Sequence, residues 1–279
     1  MDIFSEIRPL RAFLSTKRAS KISIGLVPTM GALHQGHLDI IRASKHENDL
    51  TVCSIYVNPT QFNNSADLEK YPRSFELDKD KLQKTGCDVI FAPANHEMYS
   101  TESQIHFDFG HLHKILEGEF RPGHFSGVAL VVSKLFNIVQ PTRAYFGQKD
   151  FQQFKIITKL AEELLFDIEL LSVPIVRESS GLAMSSRNER LSKSDKNNAT
   201  VFYQSLLMAR ELLLKGDTLH AVKQKVKEKC EAIPRIRLEY IELADTENLK
   251  PTTFVSNKTI LLIAGYVGEV RLIDNVLVA

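Results

Sequence analysis

The stretch from residue 22 to residue 47 constrains the fold more than any other. Ile22, Ile24, Leu26 and Val27 form a short apolar run that meets Pro28, and Leu38, Ile40, Ile41 and Ala43 follow at helical rather than alternating spacing. The pattern predicts a strand that hands over to a helix through Thr29-Met30-Gly31-Ala32-Leu33-His34-Gln35-Gly36-His37. Glycines there let a ligand approach the backbone, and the first turn of a helix offers unpaired N–H groups and a partial positive charge. A phosphate suits that geometry. His34 and His37 can donate to its oxygens, while Gly36 puts no side chain in the way. A βα turn with incidental histidines is the other reading of the same segment.

Composition narrows the setting of that loop. With 279 residues, 43% hydrophobic and 25% charged, the chain can bury one large or two smaller cores. Thirty-five basic residues stand against 34 acidic ones, so overall charge argues for neither nucleic acid nor an anionic membrane, and any anion site must be local. Cys53, Cys87 and Cys230 are far apart and odd in number, which fits buried free thiols in a reducing compartment and argues against structural zinc or a disulfide framework. Ile3, Ile7, Leu10 and Leu14, interleaved with basic residues up to Ala19, read as an amphipathic opening helix rather than a signal peptide. No stretch is long enough to span a bilayer, so a cytoplasmic location is expected.

A β-α alternation continues from there. Leu50 to Val57 is an apolar run ending at Asn58-Pro59-Thr60-Gln61-Phe62, Ser74 to Gly86 reads as a capped helix, and Val89 to Phe91 as a short strand. His111 to Leu116 is expected as a short helix, Gly118 to Phe125 as a turn, and Ser126 to Ile138 as a buried helix. Ala144 to Phe146 predicts a strand that opens at Gly147-Gln148-Lys149-Asp150, followed by a helix to Leu164 and a strand from Ile168 to Val173. That order implies an α/β, mostly parallel, Rossmann-like sheet domain over residues 1–175. Helices at 192–215 and 218–233, then strands at 238–243, 259–264 and 269–273, suggest a smaller C-terminal α+β domain over 176–279.

Three further segments carry chemistry-bearing residues. Lys149 can meet phosphate as a point charge and Asp150 can bind ribose hydroxyls, although a solvated turn would contain the same residues. Met184-Ser185-Ser186-Arg187 offers hydroxyls and a guanidinium fork suited to a polyphosphate, or a polar connection to the next helix. Arg121 and His124 can hold an anion, and Gln61 and Gln153 can bind hydroxyl groups without burying a charge. The other histidines show no metal-ligand spacing, and no Ser-His-Asp order or Gly-x-Ser-x-Gly elbow is present.

The motifs Pro28 to His37, Val57 to Phe62, Tyr71-Pro72-Arg73, Arg121 to Phe125, Phe146 to Asp150 and Gly181 to Asn188, in that order, resemble the pantothenate synthetase family of the HxGH nucleotidyltransferase superfamily. With Arg271 to Asn275 near the C-terminus, the resemblance spans nearly the whole chain. It implies a Rossmann-like domain, a C-terminal lid and a homodimer, with no nucleic-acid or membrane partner. It further implies a ligase that activates (R)-pantoate with ATP as pantoyl adenylate and then transfers the acyl group to β-alanine, with Mg2+ accompanying the triphosphate.

By this resemblance, Met30, Gly31, Ala32, Leu33, His34, Gln35, Gly36 and His37 bind ATP, with Gly147, Gln148, Lys149, Asp150, Val176, Met184, Ser185, Ser186 and Arg187. His37 is the implied proton donor, and His34, Lys149 and Arg187 the other catalytic groups. Gln61 would bind pantoate and lie near β-alanine, Gln153 would bind pantoate, and Asp78 is a magnesium candidate. Gln35, Gln148 and Ser179-Ser180 depart from positions that are often acidic in the family, which bears on rate or pH dependence rather than reaction class. A coenzyme-forming adenylyltransferase or a non-catalytic nucleotide-binding protein of the same fold are the competing readings.

Overall fold

A computed structural model describes residues 1–278, which form two compact units. The first comprises Met1–Gln148 and Gln152–Pro174, the second Lys149–Phe151 and Ile175–Ala279.

The first unit is an α/β domain. Its elements run β1 (Asp2–Phe4), α1 (Ile7–Ala19), β2 (Ile24–Thr29), α2 (Gln35–Glu47), β3 (Leu50–Ile55), α3 (Ser65–Glu69), α4 (Phe75–Thr85), β4 (Val89–Phe91), α5 (Asn95–Met98), α6 (Glu117–Phe120), α7 (His124–Val139), β5 (Arg143–Gly147), α8 (Phe151–Glu163) and β6 (Glu169–Val173). All six strands are parallel, in the order β1-β4-β3-β2-β5-β6. Successive residues of a strand face opposite ways, and the apolar runs of β2 and β3 therefore feed two cores. Leu26 and Val52 pack with Leu10 and Leu14 of α1 and with Leu135 and Phe136 of α7. Val27 and Cys53 pack on the other face with Ile40 and Ile41 of α2 and with Leu82 of α4. Burial of each such side chain is worth about 1.5–3 kcal/mol, which is why the strands read as continuous hydrophobic runs instead of alternating ones.

Strand order reverses between β2 and β5, and open α/β sheets bind ligands at the carboxyl ends of the strands flanking such a point. β2 pairs with β5 only at Gly25 and Leu26, whereas it stays paired with β3 through Thr29. The two strands thus part before their ends. That parting explains why β2 runs through Pro28, where the sequence predicts a stop: no neighbour on the β5 side needs the N–H that proline lacks.

Other boundaries also differ from expectation. The N-terminal segment is not helical throughout, because Asp2–Phe4 pairs with Val89–Phe91 as an edge strand; three residues are too few to show a period. The helix expected at 111–116 is a 3-10 turn over Gly110–His113, and the expected turn at 118–125 instead holds α6 and the start of α7.

The second unit, described on its own, packs α9 (Lys193–Leu214) and α10 (Leu219–Glu231) on an antiparallel sheet. Its strands are β7 (Ile236–Asp245), β8 (Thr259–Val267) and β9 (Val270–Leu277), in sequence order. Ser192 and Thr218 cap the helices, their hydroxyls accepting from Asp195 and Ala221 N–H groups. Leu206, Val222, Val226 and Cys230 meet Ile241, Leu243, Leu261 and Ile263 in a separate core. The strands are longer than their apolar stretches suggest, because antiparallel pairing extends through the polar ends and past an irregularity between Leu238 and Tyr240.

Candidate active site

In the first unit the histidine loop follows β2 directly, as its sequence predicts. Gly31 has φ +69°, and a Cβ there would lie 2.7 Å from Asp78 Oδ2, so conformation and space both require glycine. Three side chains fix the loop's backbone. Tyr71 donates its hydroxyl to the Gly31 carbonyl at 2.9 Å, the Leu33 N–H donates to Asp78 Oδ1 at 2.7 Å, and Lys81 donates to the Leu33 carbonyl at 2.6 Å.

Asp78 is 1% exposed and its Oδ2 has no hydrogen-bond partner among the described residues. Burial raises its pKa, opposed by the Leu33 N–H, by Lys81 and by Ser74. Ser74, expected as a helix cap, directs its hydroxyl to Asp78 Oδ1 at 3.3 Å.

His34 occupies the N-cap of α2 in extended conformation, and its N–H donates to Nδ1 of His37 at 3.3 Å. The two imidazoles lie with centroids 3.9 Å apart, inclined at 31°. A neutral imidazole whose Nδ1 accepts carries its proton on Nε2, so this contact sets His37 as a donor away from its own backbone.

The second cluster lies at the carboxyl end of β3. The Pro59–Gln61 turn, of 3-10 form, buries Gln61. Gln61 donates through Nε2 to Met30 Sδ at 3.1 Å and accepts at Oε1 from Asn58 Nδ2 at the same distance. Asn58, itself buried, also donates to the Gly127 carbonyl and accepts from the Tyr99 hydroxyl at 2.9 Å. His124 Nδ1 lies 2.8 Å from the Gln61 carbonyl. Met30, Gln61 and His124, far apart in sequence, therefore form one contact chain within one unit.

Arg121 lies nearby in sequence, its guanidinium 3.7 Å from Glu117. Gln152, not the half-buried Gln153, ties α8 to this region: it accepts from the Glu117 N–H and donates to the Leu112 and Ile115 carbonyls. Sequence reasoning did not single out Asn58, Tyr71, Lys81, Tyr99 or Gln152 as supports. Asn58, in the quoted Val57 to Phe62 motif, carried the clearest available signal, a polar side chain directly after a buried strand.

In the second unit Lys149 lies 3.2 Å from the Asp150 carboxylate, and its carbonyl accepts from Asn275 Nδ2 at 2.9 Å. Residues 176–184 fold back on themselves, with the Met184 N–H donating to the Val176 carbonyl and Arg177 bridged to Ala183. The following turn is capped by Ser185, whose hydroxyl accepts the Arg187 N–H at 3.3 Å. Buried Asn188 secures it by donating to the Ala183 carbonyl.

Gln35 and Gly36 open α2, and Gly147 and Gln148 close β5 and begin the turn that leads to Lys149. Among the described residues no group of three or more His, Cys, Asp or Glu side chains is placed to hold a metal ion. Among the described residues no helix is long and apolar enough to cross a membrane. The three cysteines are free and buried.

The family model described as Pantoate-beta-alanine ligase matches residues 2–277. A pantothenate synthetase from Thermotoga petrophila is 45% identical over 276 residues, 99% of each chain. Among solved structures, that of the Thermus thermophilus pantothenate synthetase superposes with a TM-score of 0.93 at 40% identity, covering 100% of this chain and 99% of that one. The pantoate-beta-alanine ligase of Francisella tularensis, solved with beta-gamma ATP and beta-alanine, gives 0.83 at 34% identity, covering 100% and 98%.

Proposed function

The chain belongs to the pantoate-beta-alanine ligase family, and on that premise we propose that it makes pantothenate by way of a pantoyl adenylate. The ligase activity follows from family membership; the intermediate, the residue roles, magnesium, a homodimer and a cytoplasmic location belong to the proposal. In the first step a pantoate carboxylate oxygen bonds to the α-phosphorus of ATP as the bond to the β-phosphate breaks, releasing pyrophosphate. In the second the β-alanine amine bonds to the acyl carbon, loses a proton, and AMP departs.

The observation that carries this reading is the contact between Gln61 and Met30. Gln61 is the hydroxyl-binding candidate for pantoate, and Met30 begins the loop that leads to His34 and His37 at the start of α2. A carboxylate bound beside Gln61 is thereby delivered to a phosphate bound at that helix start, and positioning of this kind removes much of the entropic part of a bimolecular barrier. His124, against the Gln61 carbonyl, and Arg121 belong to the same substrate side, with Gln153.

Attack of one anion on another needs charge compensation. His34 and His37 supply donors at the helix start, and Lys149, Ser185, Ser186 and Arg187 are assigned to the triphosphate as well. Met30 to His37, Gly147 to Asp150, Val176 and Met184 to Arg187 make up the proposed ATP-binding set. Magnesium, bound with the triphosphate, would draw negative charge from the phosphate oxygens. Sites of this kind need only one or two protein carboxylates, so the lack of a three-ligand cluster among the described residues is compatible with it, and the unpartnered Asp78 Oδ2 is the oxygen this chain offers.

Exchange of labelled pyrophosphate into ATP, with β-alanine absent, tests the intermediate. Exchange that depends on pantoate is expected. Its absence from folded, ATP-binding enzyme that still makes pantothenate would rule out a reversible adenylate.

A further inference from the structure

We propose that Asn275, Asp274 and Arg177 are positioning residues that set the place of Lys149 and of the Ser185–Arg187 turn together. The inference rests on the reading of Lys149 as a triphosphate lysine. All of these residues lie in the second unit.

Asn275 is 2% exposed and its side-chain N–H holds the Lys149 carbonyl across 126 positions of sequence. Asp274 beside it is also buried, and its Oδ1 accepts the Asn275 N–H at 2.8 Å. Arg177 grips Asp274 with both arms of its fork, at 2.6 and 2.9 Å, and donates to the Asn275 carbonyl at 3.3 Å. The same guanidinium donates to the Gly181 carbonyl at 3.1 Å and lies over the Tyr203 ring, its carbon 3.7 Å from the centroid.

One planar group thus joins the strand end that holds Lys149 to the fold-back that leads into Ser185. A fork with fixed geometry transmits position in a way that a flexible ammonium does not. Burial makes the arrangement consequential: removing one partner leaves polar atoms without water to replace it. A second ion pair in the same sheet offers a control, since Arg271 Nε donates at 2.8 Å to Glu239 of β7, a bond that involves neither Arg177 nor Lys149.

The test uses the full-length enzyme and compares Asn275→Ala, Arg177→Lys and Arg271→Lys for turnover, the KM of each substrate and thermal midpoint. The expected result for Asn275→Ala and Arg177→Lys is a loss of about tenfold in kcat/KM for ATP, with the pantoate KM within about twofold of the parent. Arg271→Lys should lower the midpoint while leaving both kinetic parameters within about twofold. In a Lys149→Ala background, Asn275→Ala should add much less than its loss in the parent, because the side chain it places is gone. Full additivity there, a silent Asn275→Ala in folded protein, or an equal kinetic loss in Arg271→Lys would overturn the proposal. The Lys149→Ala arm speaks to the underlying reading by itself: wild-type turnover in that variant removes Lys149 from the triphosphate, and the positioning role with it.

Discussion

The main-chain N–H of His34 donates to Nδ1 of His37 at 3.3 Å, so the backbone of one histidine sets the tautomer of the other. The extended conformation of His34 at the helix N-cap makes the contact possible, because it turns that N–H back over the first turn. In the neutral ring the proton of His37 then sits on Nε2, the atom proposed to donate to a phosphate oxygen.

Replacing His37 with alanine should lower turnover by a factor corresponding to about 3 kcal/mol at the transition state, the size of effect seen when one preorganised donor is lost. The His34 N–H also loses its acceptor, which should cost folding stability only about 1 kcal/mol at this partly exposed position. Steady-state turnover beside thermal unfolding separates the two effects. Unchanged turnover would exclude His37 from the chemistry.

Asp78 has two candidate tasks, and one substitution parts them. Asparagine keeps an oxygen for the Leu33 N–H at the Oδ1 position but removes the charge and the second carboxylate oxygen. If Asp78 serves magnesium, Asp78→Asn should raise the magnesium concentration needed for half-maximal rate by about tenfold. If it only holds the loop, that concentration should stay put, and Asp78→Ala alone should lose activity and about 1–3 kcal/mol of stability through the orphaned N–H. A magnesium titration of both variants decides.

How far the sequence discloses all this depends on the range of the interaction. Strands β2, β3 and β5 announce themselves because burial on both faces demands unbroken apolar runs, and the helix after His37 does so through its period. A mostly parallel α/β domain and a smaller α+β one follow from the order of such elements, although one of the first domain's six strands does not. By contrast, β1 exists only because Phe4 and Ile3 find Phe91 and Ile90, a pairing across the domain that leaves no local mark. The residues around the loop divide the same way. His34, His37 and Gly31 stand in one short motif, whereas Tyr71, Lys81 and Asp78 reach the loop from 40 or more positions away. Asn275 reaching Lys149 is the extreme case: its neighbours in sequence suggest a strand end, and only the folded sheet shows what its amide touches.

The cysteines should be silent toward alkylating or disulfide reagents at mildly alkaline pH and react, all three, once the chain unfolds. Burial pushes the Cys87 thiol up to about 11 and raises that of Cys53 as well, so neither presents thiolate in the folded state. The sign for stability follows. From its ordinary value of 9.0 to about 11, folded Cys87 keeps a proton that the unfolded chain has released, so stability from this group is complete below that window and lost as pH rises through it. Fast labelling of native protein near pH 8 would contradict the burial of these thiols.

Gly127 links packing to Gln61, the residue proposed to bind pantoate. A Cβ at this position of α7 would lie 2.2 Å from the Thr60 carbonyl oxygen and 2.5 Å from its carbon, both backbone atoms that no side-chain rotation can clear. The Gly127 carbonyl also accepts from Asn58, whose amide holds Gln61, so the helix and the Pro59–Gln61 turn are registered by contact and by hydrogen bond together. Gly127→Ala must push the turn off the helix, at a cost of about 1–3 kcal/mol for an overpacked core. Gln61 moves with it, away from Met30 and His124. The pantoate KM should therefore rise by about tenfold or more while the ATP KM changes little, since a shift near 1 Å at a positioning group is enough for such a loss. Gly86→Ala makes the comparison fair: the substituted methyl meets nothing within 4 Å, and the strain of its φ of +82° lowers stability at a site with no such link to Gln61. A rise in pantoate KM in Gly127→Ala alone would tie substrate affinity to this packing contact; equal behaviour of the two variants would reduce Gly127 to a stability residue.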